Sequence, residues 1–87
     1  MFRITIECLD VAPDLGPHAA IDIEQEFRVH RVWHKEPSCT YSDGKLLLVA
    51  LNDFDVDGGA LLDEFWDCLA AYLGEQGETR ILGVEQV

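Results

Sequence analysis

Apolar and polar residues alternate from Phe2 to Leu9, and this period of two is typical of a half-buried β-strand. Residues 12–17 then contain two prolines and a glycine, which predict a turn or loop. Residues 45–52 carry apolar side chains at both odd and even positions. This second pattern favours a central strand that is buried on both faces and covered by a helix.

The stretch from Ala20 to His34 carries a weaker pattern. Five of its seven odd positions from 21 to 33 are apolar, against one of the seven even positions from 22 to 34. The best helical stripe collects only three apolar residues of seven. The period of two therefore predicts a second strand, with His30 and His34 on its solvent face and Trp33 facing the core.

The same stretch has an alternative interpretation as a short helix. This helix would start at Pro17, where a proline suits the first helical position, and run to about Phe27. A strand would then begin only at Arg28. The alternative gives a ferredoxin-like order of elements, β-α-β-β-α-β.

The second half of the chain contains the strongest helical pattern. Residues 35–44 predict a loop that ends in an Asp43-Gly44 turn. Residues 58–73 carry a broad apolar stripe opposite acidic residues, which predicts a helix, and Asp57 is well placed to cap its first turn. Residues 79–87 predict a last strand.

These elements predict an α+β fold of the order β-β-β-α-β. A single four-stranded, mostly antiparallel sheet would have one long C-terminal helix packed on one face. A chain of 87 residues and 9.8 kDa has room for one hydrophobic core. Residues 1–87 are therefore interpreted as a single small acidic α+β domain.

The charge of the chain restricts its partners. Seventeen acidic residues face six basic ones, for a net charge of −11, which disfavours binding to nucleic acid or to an anionic membrane surface. The longest apolar run, Leu46 to Leu51, is too short to span a bilayer. The first residues lack the pattern of a signal peptide, and three cysteines are too few for a disulfide scaffold. We therefore expect a cytoplasmic location.

One motif matches a known metal-binding pattern. Residues 53–64, Asp-Phe-Asp-Val-Asp-Gly-Gly-Ala-Leu-Leu-Asp-Glu, fit the twelve-residue pattern D-x-D-x-D-G-x5-E without a gap. The segment resembles an EF-hand calcium loop. The resemblance implies calcium ligands at Asp53, Asp55 and Asp57, at the carbonyl of Gly59 and at a bidentate Glu64.

The departures from the EF-hand pattern leave two interpretations open. Ala60 and Leu61 occupy positions eight and nine, the incoming segment is a predicted strand, and the chain has no second loop. These departures argue strongly against a paired EF-hand protein. Residues 53–64 are then either a lone calcium site between strand and helix or a solvated turn that caps the helix.

The sequence favours a binding protein over an enzyme, because no serine or cysteine has a recognisable activating context and 87 residues leave little room for a deep pocket.

The first hypothesis is a non-enzymatic acidic interaction domain that binds a basic protein, as an inhibitor or immunity-type antagonist does. Calcium binding is the alternative. Self-association as a homodimer, through a sheet edge or through residues 28–34, is compatible with either. The surface carboxylates expected to bind the partner are Asp53, Asp55, Asp57, Asp63, Glu64 and Asp67.

Overall fold

The computed structural model describes residues 1–74 and 77–87, which form four strands and two helices. The elements are β1 (Phe2–Cys8), α1 (Gly16–His30), β2 (Lys35–Ser42), β3 (Lys45–Asn52), α2 (Gly59–Leu73) and β4 (Thr79–Gln86). The α+β class and the predicted positions of β1, β3, α2 and β4 are confirmed. The prediction of a single long helix is wrong, because a second helix, α1, lies between the first two strands.

The four strands form one antiparallel sheet in the order β2-β3-β1-β4. The order of elements along the chain is that of the alternative architecture, β-α-β-β-α-β. On the central strands Ile6 faces Leu48 of β3 on one side and Ile81 of β4 on the other. This register places the even positions of β1 and β3 on one face of the sheet, where both helices pack.

The prediction of a strand over residues 20–34 is wrong. Residues 16–30 form α1, and its buried positions, which include Ala20, Ile23 and Phe27, follow the helical spacing. The alternating pattern counted Ile21 and Val29 as core residues, but these side chains are 68% and 50% exposed. The residues between Ile21 and Val29 are mostly good helix formers, and a proline stands at the helix start. These local preferences and the packing of a narrow apolar stripe outweigh the apparent period of two.

The predicted loop over residues 35–44 is also wrong in its first eight residues, which form β2. Pro37 and Cys39 are buried and alternate with exposed polar residues. The sequence pattern is weak because β2 is an edge strand whose outward positions are serines and threonine. The Asp43-Gly44 turn is confirmed, and both of its residues have positive φ, at 49° and 78°, as a two-residue hairpin turn requires.

Strand β3 is buried on one face only, so the expectation of two buried faces is wrong. Leu46, Leu48 and Ala50 are fully buried beneath the helices, whereas Leu47 on the opposite face is 36% exposed. The buried side chains of strands and helices form one hydrophobic cluster. In the described ranges, neither helix has the length and apolar character needed to cross a membrane.

Candidate functional site

A buried histidine lies at the end of the molecule where α1, β3 and α2 meet. His34 lies just after α1 and is 1% exposed. Its Nε2 atom lies 2.5 Å from Oε2 of Glu64 on α2, and its Nδ1 atom lies 3.1 Å from Nδ2 of Asn52 at the end of β3. The imidazole ring therefore links the segment after α1 to the other two elements through both of its nitrogen atoms.

Asn52 determines which nitrogen of His34 carries the hydrogen. Its Oδ1 atom accepts the backbone N–H groups of Phe54 at 3.2 Å and Asp55 at 2.8 Å. These bonds fix the orientation of the amide, so that Nδ2 faces the ring and donates to Nδ1 of His34. Nδ1 is consequently an acceptor, and Nε2 carries the hydrogen that is donated to Glu64.

Glu64 is a largely buried carboxylate that accepts three hydrogen bonds. Arg31 Nη1 donates to Oε1 at 3.0 Å, and Trp33 Nε1 donates to Oε2 at 3.1 Å, beside the bond from His34. Burial by itself raises the pKa of Glu64, but the hydrogen bonds from His34, Trp33 and Arg31 outweigh burial and hold the pKa below its usual range. Glu64 is therefore ionised at neutral pH.

Two aromatic rings flank His34 and are half exposed. The ring centroids of Trp33 and Phe54 lie 6.1 Å and 5.9 Å from that of His34, and the two side chains are 48% and 50% exposed. Val32, next to Trp33 in the chain, and Val56, two residues after Phe54, are also exposed. We call Trp33, His34 and Phe54 the aromatic site. Exposed aromatic side chains that cluster in this way are typical of binding surfaces.

Asp55 caps helix α2 from inside the protein. It is 4% exposed, and its two oxygens accept the backbone N–H groups of Ala60 at 3.0 Å and Leu61 at 2.9 Å. Asp57, the residue predicted to cap the helix, is exposed and accepts the N–H of Gly59 at 2.9 Å. The prediction assigned the cap to Asp57 alone, whereas Asp55 is buried and accepts two N–H groups of the first turn with its two carboxylate oxygens.

The predicted calcium ligands have other hydrogen-bond partners. Both oxygens of Asp55 accept backbone N–H groups, and Glu64 is bound by the three donors that follow α1. In the part of the chain that the structure describes, no group of three or more His, Cys, Asp or Glu side chains is placed to hold a metal ion. This arrangement favours a capped turn. The calcium hypothesis, with Asp53, Asp57 and Gly59 as further ligands, stays a prediction.

The carboxylates predicted to bind a partner divide into two groups. The exposed ones are Asp53, Asp57, Asp63 and Asp67. Asp55 is buried and the side chain of Glu64 is 17% exposed, so the expectation that these two are surface groups is wrong. Asp55 is buried because it caps α2. Glu64 is largely buried because it accepts hydrogen bonds from Arg31, Trp33 and His34.

The three cysteines are buried and poorly suited to nucleophilic chemistry. Burial raises the pKa of Cys39 to about 12 and that of Cys68 to about 11, and it raises the pKa of Cys8 as well. A thiol attacks as its thiolate, and these groups hold very little thiolate at neutral pH. Their contribution is to the packing of the core.

The aromatic site does not follow from the periodicity of the sequence. The alternating pattern places His34 on the surface and Trp33 in the core, and the structure reverses both positions. The available signal was Asn52, a polar residue at the end of an apolar strand. A polar residue at a buried strand position indicates a hydrogen-bond partner in the core, which here is His34.

Comparison of the chain with protein-family models, with curated protein sequences and with solved structures finds no significant match. We therefore infer function from the side chains themselves.

Proposed function

We propose that this protein is a non-enzymatic interaction domain that binds a basic protein partner, as an inhibitor or immunity-type antagonist of that partner. The observation that carries the proposal is the aromatic site, in which two half-exposed rings flank a buried histidine in a chain of net charge −11. Trp33 and Phe54 are the proposed anchors. The exposed carboxylates Asp53, Asp57, Asp63 and Asp67 are the proposed steering groups.

Trp33 is suited to binding because its position does not depend on the partner. The indole N–H of Trp33 is already bonded to Glu64, so the exposed part of the ring offers an apolar face without an unsatisfied donor. A side chain held in one position before binding loses little conformational entropy on association. Aromatic rings also attract guanidinium and ammonium groups by cation–π interaction, worth about 0.5–2 kcal/mol. A partner that inserts arginine or lysine beside these rings fits the site.

The exposed carboxylates favour the encounter with such a partner. Asp53 is adjacent to Phe54 in the chain, and Asp57 follows in the same turn. Asp63 and Asp67 lie on successive turns of the exposed side of α2. Complementary charge of this kind raises association rates by roughly 10- to 1,000-fold at low salt.

Two features support a binding role over catalysis. Both ring nitrogens of His34 are bonded within the protein, so neither is free to exchange a proton with a substrate. The buried thiols are protonated at neutral pH, as described above. The polar groups of the aromatic site therefore serve to hold the rings in place.

A displayed library of random peptides, selected on the purified protein near physiological salt, tests the proposal. We expect the enriched peptides to be rich in arginine and lysine. Their affinity should fall at least tenfold for Trp33→Ala and for Phe54→Ala. Ile21→Ala, which removes an even more exposed apolar side chain from α1, is the control and should leave affinity unchanged. Enrichment of neutral peptides, or equal losses in all three variants, contradicts the proposal.

Charge reversal tests the steering groups separately. Asp57→Lys and Asp63→Lys should slow the association of an enriched peptide and weaken its dependence on salt. Asp14→Lys makes the same change in net charge at an exposed position before α1. If Asp14→Lys slows association as much as the other two, attraction is a property of the whole chain and the proposed surface is wrong.

A further inference from the structure

The face of the sheet opposite the helices carries a row of apolar side chains. Leu47, Val49 and Leu51 point away from the helices along β3, and in the described residues no helix lies over them. Their register partners on the neighbouring strands include Thr5 and Thr40, which are polar and uncharged. We call this side of the four strands the open face.

The charge of the molecule is divided unevenly between the sheet and the rest of the chain. Four of the six basic residues and only three of the seventeen acidic ones lie in the strands, so the strands carry +1. The remaining residues hold two basic and fourteen acidic groups and carry −12. Two copies of this chain repel each other strongly through their helices and loops, but not through the sheet.

Four charged groups of the open face form two ion pairs with each other, whereas Lys35 and Lys45 lie on the same face at the starts of β2 and β3. Arg80 donates to Glu7 from Nε and Nη2, at 3.0 Å and 2.5 Å, and Arg3 lies 3.8 Å from Glu85. A surface that covers the middle of this face therefore buries ion pairs, while the two lysines at the strand ends can keep their ammonium groups in water. This matters because a lone buried charge would oppose association strongly.

The edges of the sheet are less suited to association than its face. Edge strand β2 contains Pro37, which has no N–H to donate, and its register shifts between Lys35 and Ser38. Edge strand β4 is irregular as well, because its pairing with β1 shifts between Thr5 and Ile6. Proline, lysine and bulges at an edge hinder pairing with another strand.

We propose that two copies of the chain associate through the open face, sheet against sheet. Strands of seven or eight residues, about 3.3 Å per residue and about 4.8 Å apart, give a face of roughly 450–500 Å². Two such faces bury about 1,000 Å², which is the lower bound for a specific interface. An interface of this size is typical of a weak dimer, in which the acidic helical layers lie on the outer sides.

Sedimentation of the purified chain between about 1 μM and 200 μM tests this dimer. We expect a mass that rises with concentration from 9.8 kDa towards twice that value. Added salt should strengthen the dimer, because it screens the repulsion between two chains of charge −11. Binding of a basic partner has the opposite salt dependence, so failure of one proposal is distinguishable from failure of the other. A monomer mass at every concentration in low and in high salt overturns the dimer.

Matched variants locate the interface. Leu47→Glu should abolish the concentration dependence, whereas Ile21→Glu adds the same charge on α1 and should leave the dimer intact. Thr40→Glu, at an exposed position paired with Leu47, is the second variant in case Leu47→Glu does not fold. A dimer that survives both sheet variants, or that Ile21→Glu dissociates equally, overturns the assignment to the open face.

Discussion

Glu64 is the side chain on which the order of the aromatic site depends. It accepts hydrogen bonds from Arg31, Trp33 and His34, three residues of a segment that has no regular secondary structure. These side-chain bonds hold the segment against α2. The carboxylate thus substitutes for backbone pairing at this end of the molecule.

Replacement of Glu64 by glutamine should lower the free energy of unfolding by about 1–3 kcal/mol, because three donors lose an ionised acceptor. Asp63→Asn removes an exposed carboxylate from the neighbouring position of the same helix and should have little effect. Urea unfolding followed by tryptophan fluorescence measures both variants. Equal stability of the two variants would contradict a structural role for the Glu64 carboxylate.

The same comparison has a defined pH dependence. The pKa of Glu64 is lower in the folded protein than its usual value, so its contribution to stability is fully present above the unfolded pKa. The contribution is lost as the pH falls through the folded pKa. The stability difference between the wild type and Glu64→Gln should therefore shrink on acidification from neutral pH, and a constant difference would be inconsistent with this pKa.

At the scale of the elements, the link between α2 and β4 depends on a close approach of two backbones. A side chain at Gly77 would place its Cβ atom 1.9 Å from the carbonyl oxygen of Leu9, just after β1. Leu9 in turn donates its N–H to the carbonyl of Glu78 at 2.8 Å. The end of β1 and the start of β4 can therefore meet only if residue 77 lacks a side chain.

Gly77→Ala should lower the free energy of unfolding by about 1–3 kcal/mol, since backbone atoms must shift to relieve the overlap. Gly83→Ala is the matched control, because a Cβ atom at Gly83 has no heavy atom within 4 Å. Chemical unfolding of both variants measures the difference. Equal effects at the two positions would mean that the contact between Leu9 and residue 77 yields without cost.

The elements that the sequence predicts correctly are those with a strong and unambiguous period. Residues 2–8 alternate cleanly and residues 59–73 carry a broad apolar stripe, and both are confirmed. Helix α1 is predicted only by the alternative interpretation, a helix from Pro17 to about Phe27, because its buried stripe is narrow and large apolar residues such as Ile21 lie outside it. Strand β2 escapes prediction because an edge strand buries only one side and its other side is polar.

The site is less predictable than the fold. Asp55 and Glu64 stand out in the sequence, but their spacing matches a calcium loop and gives no sign of their partners. Those partners are backbone N–H groups for Asp55 and the residues after α1 for Glu64, which are about thirty positions away. Contacts over such a distance in sequence depend on the topology of the chain and not on a local pattern.

At the scale of the whole molecule, the division of charge sets the response to ions. Outside the strands the chain carries −12, so any cation reduces repulsion within the helical and loop layer and should raise the melting temperature. A rise with added calcium is therefore not by itself evidence of a calcium site. The site is recognised only by a response that is specific for calcium and for its proposed ligands.

Thermal melts in 1 mM calcium, in 1 mM magnesium and in chelator separate these effects. A site with a dissociation constant near 10 μM would gain about 2.7 kcal/mol from a hundredfold excess of calcium, which is several degrees for a domain of this size. Because Asp55 and Glu64 already have partners, we expect calcium and magnesium to give the same small rise, in the wild type and in Glu64→Gln alike. A rise specific for calcium that Glu64→Gln abolishes would instead establish residues 53–64 as a calcium site. The carboxylate would then have to leave Arg31 and His34 on binding the ion, and the aromatic site would respond to calcium.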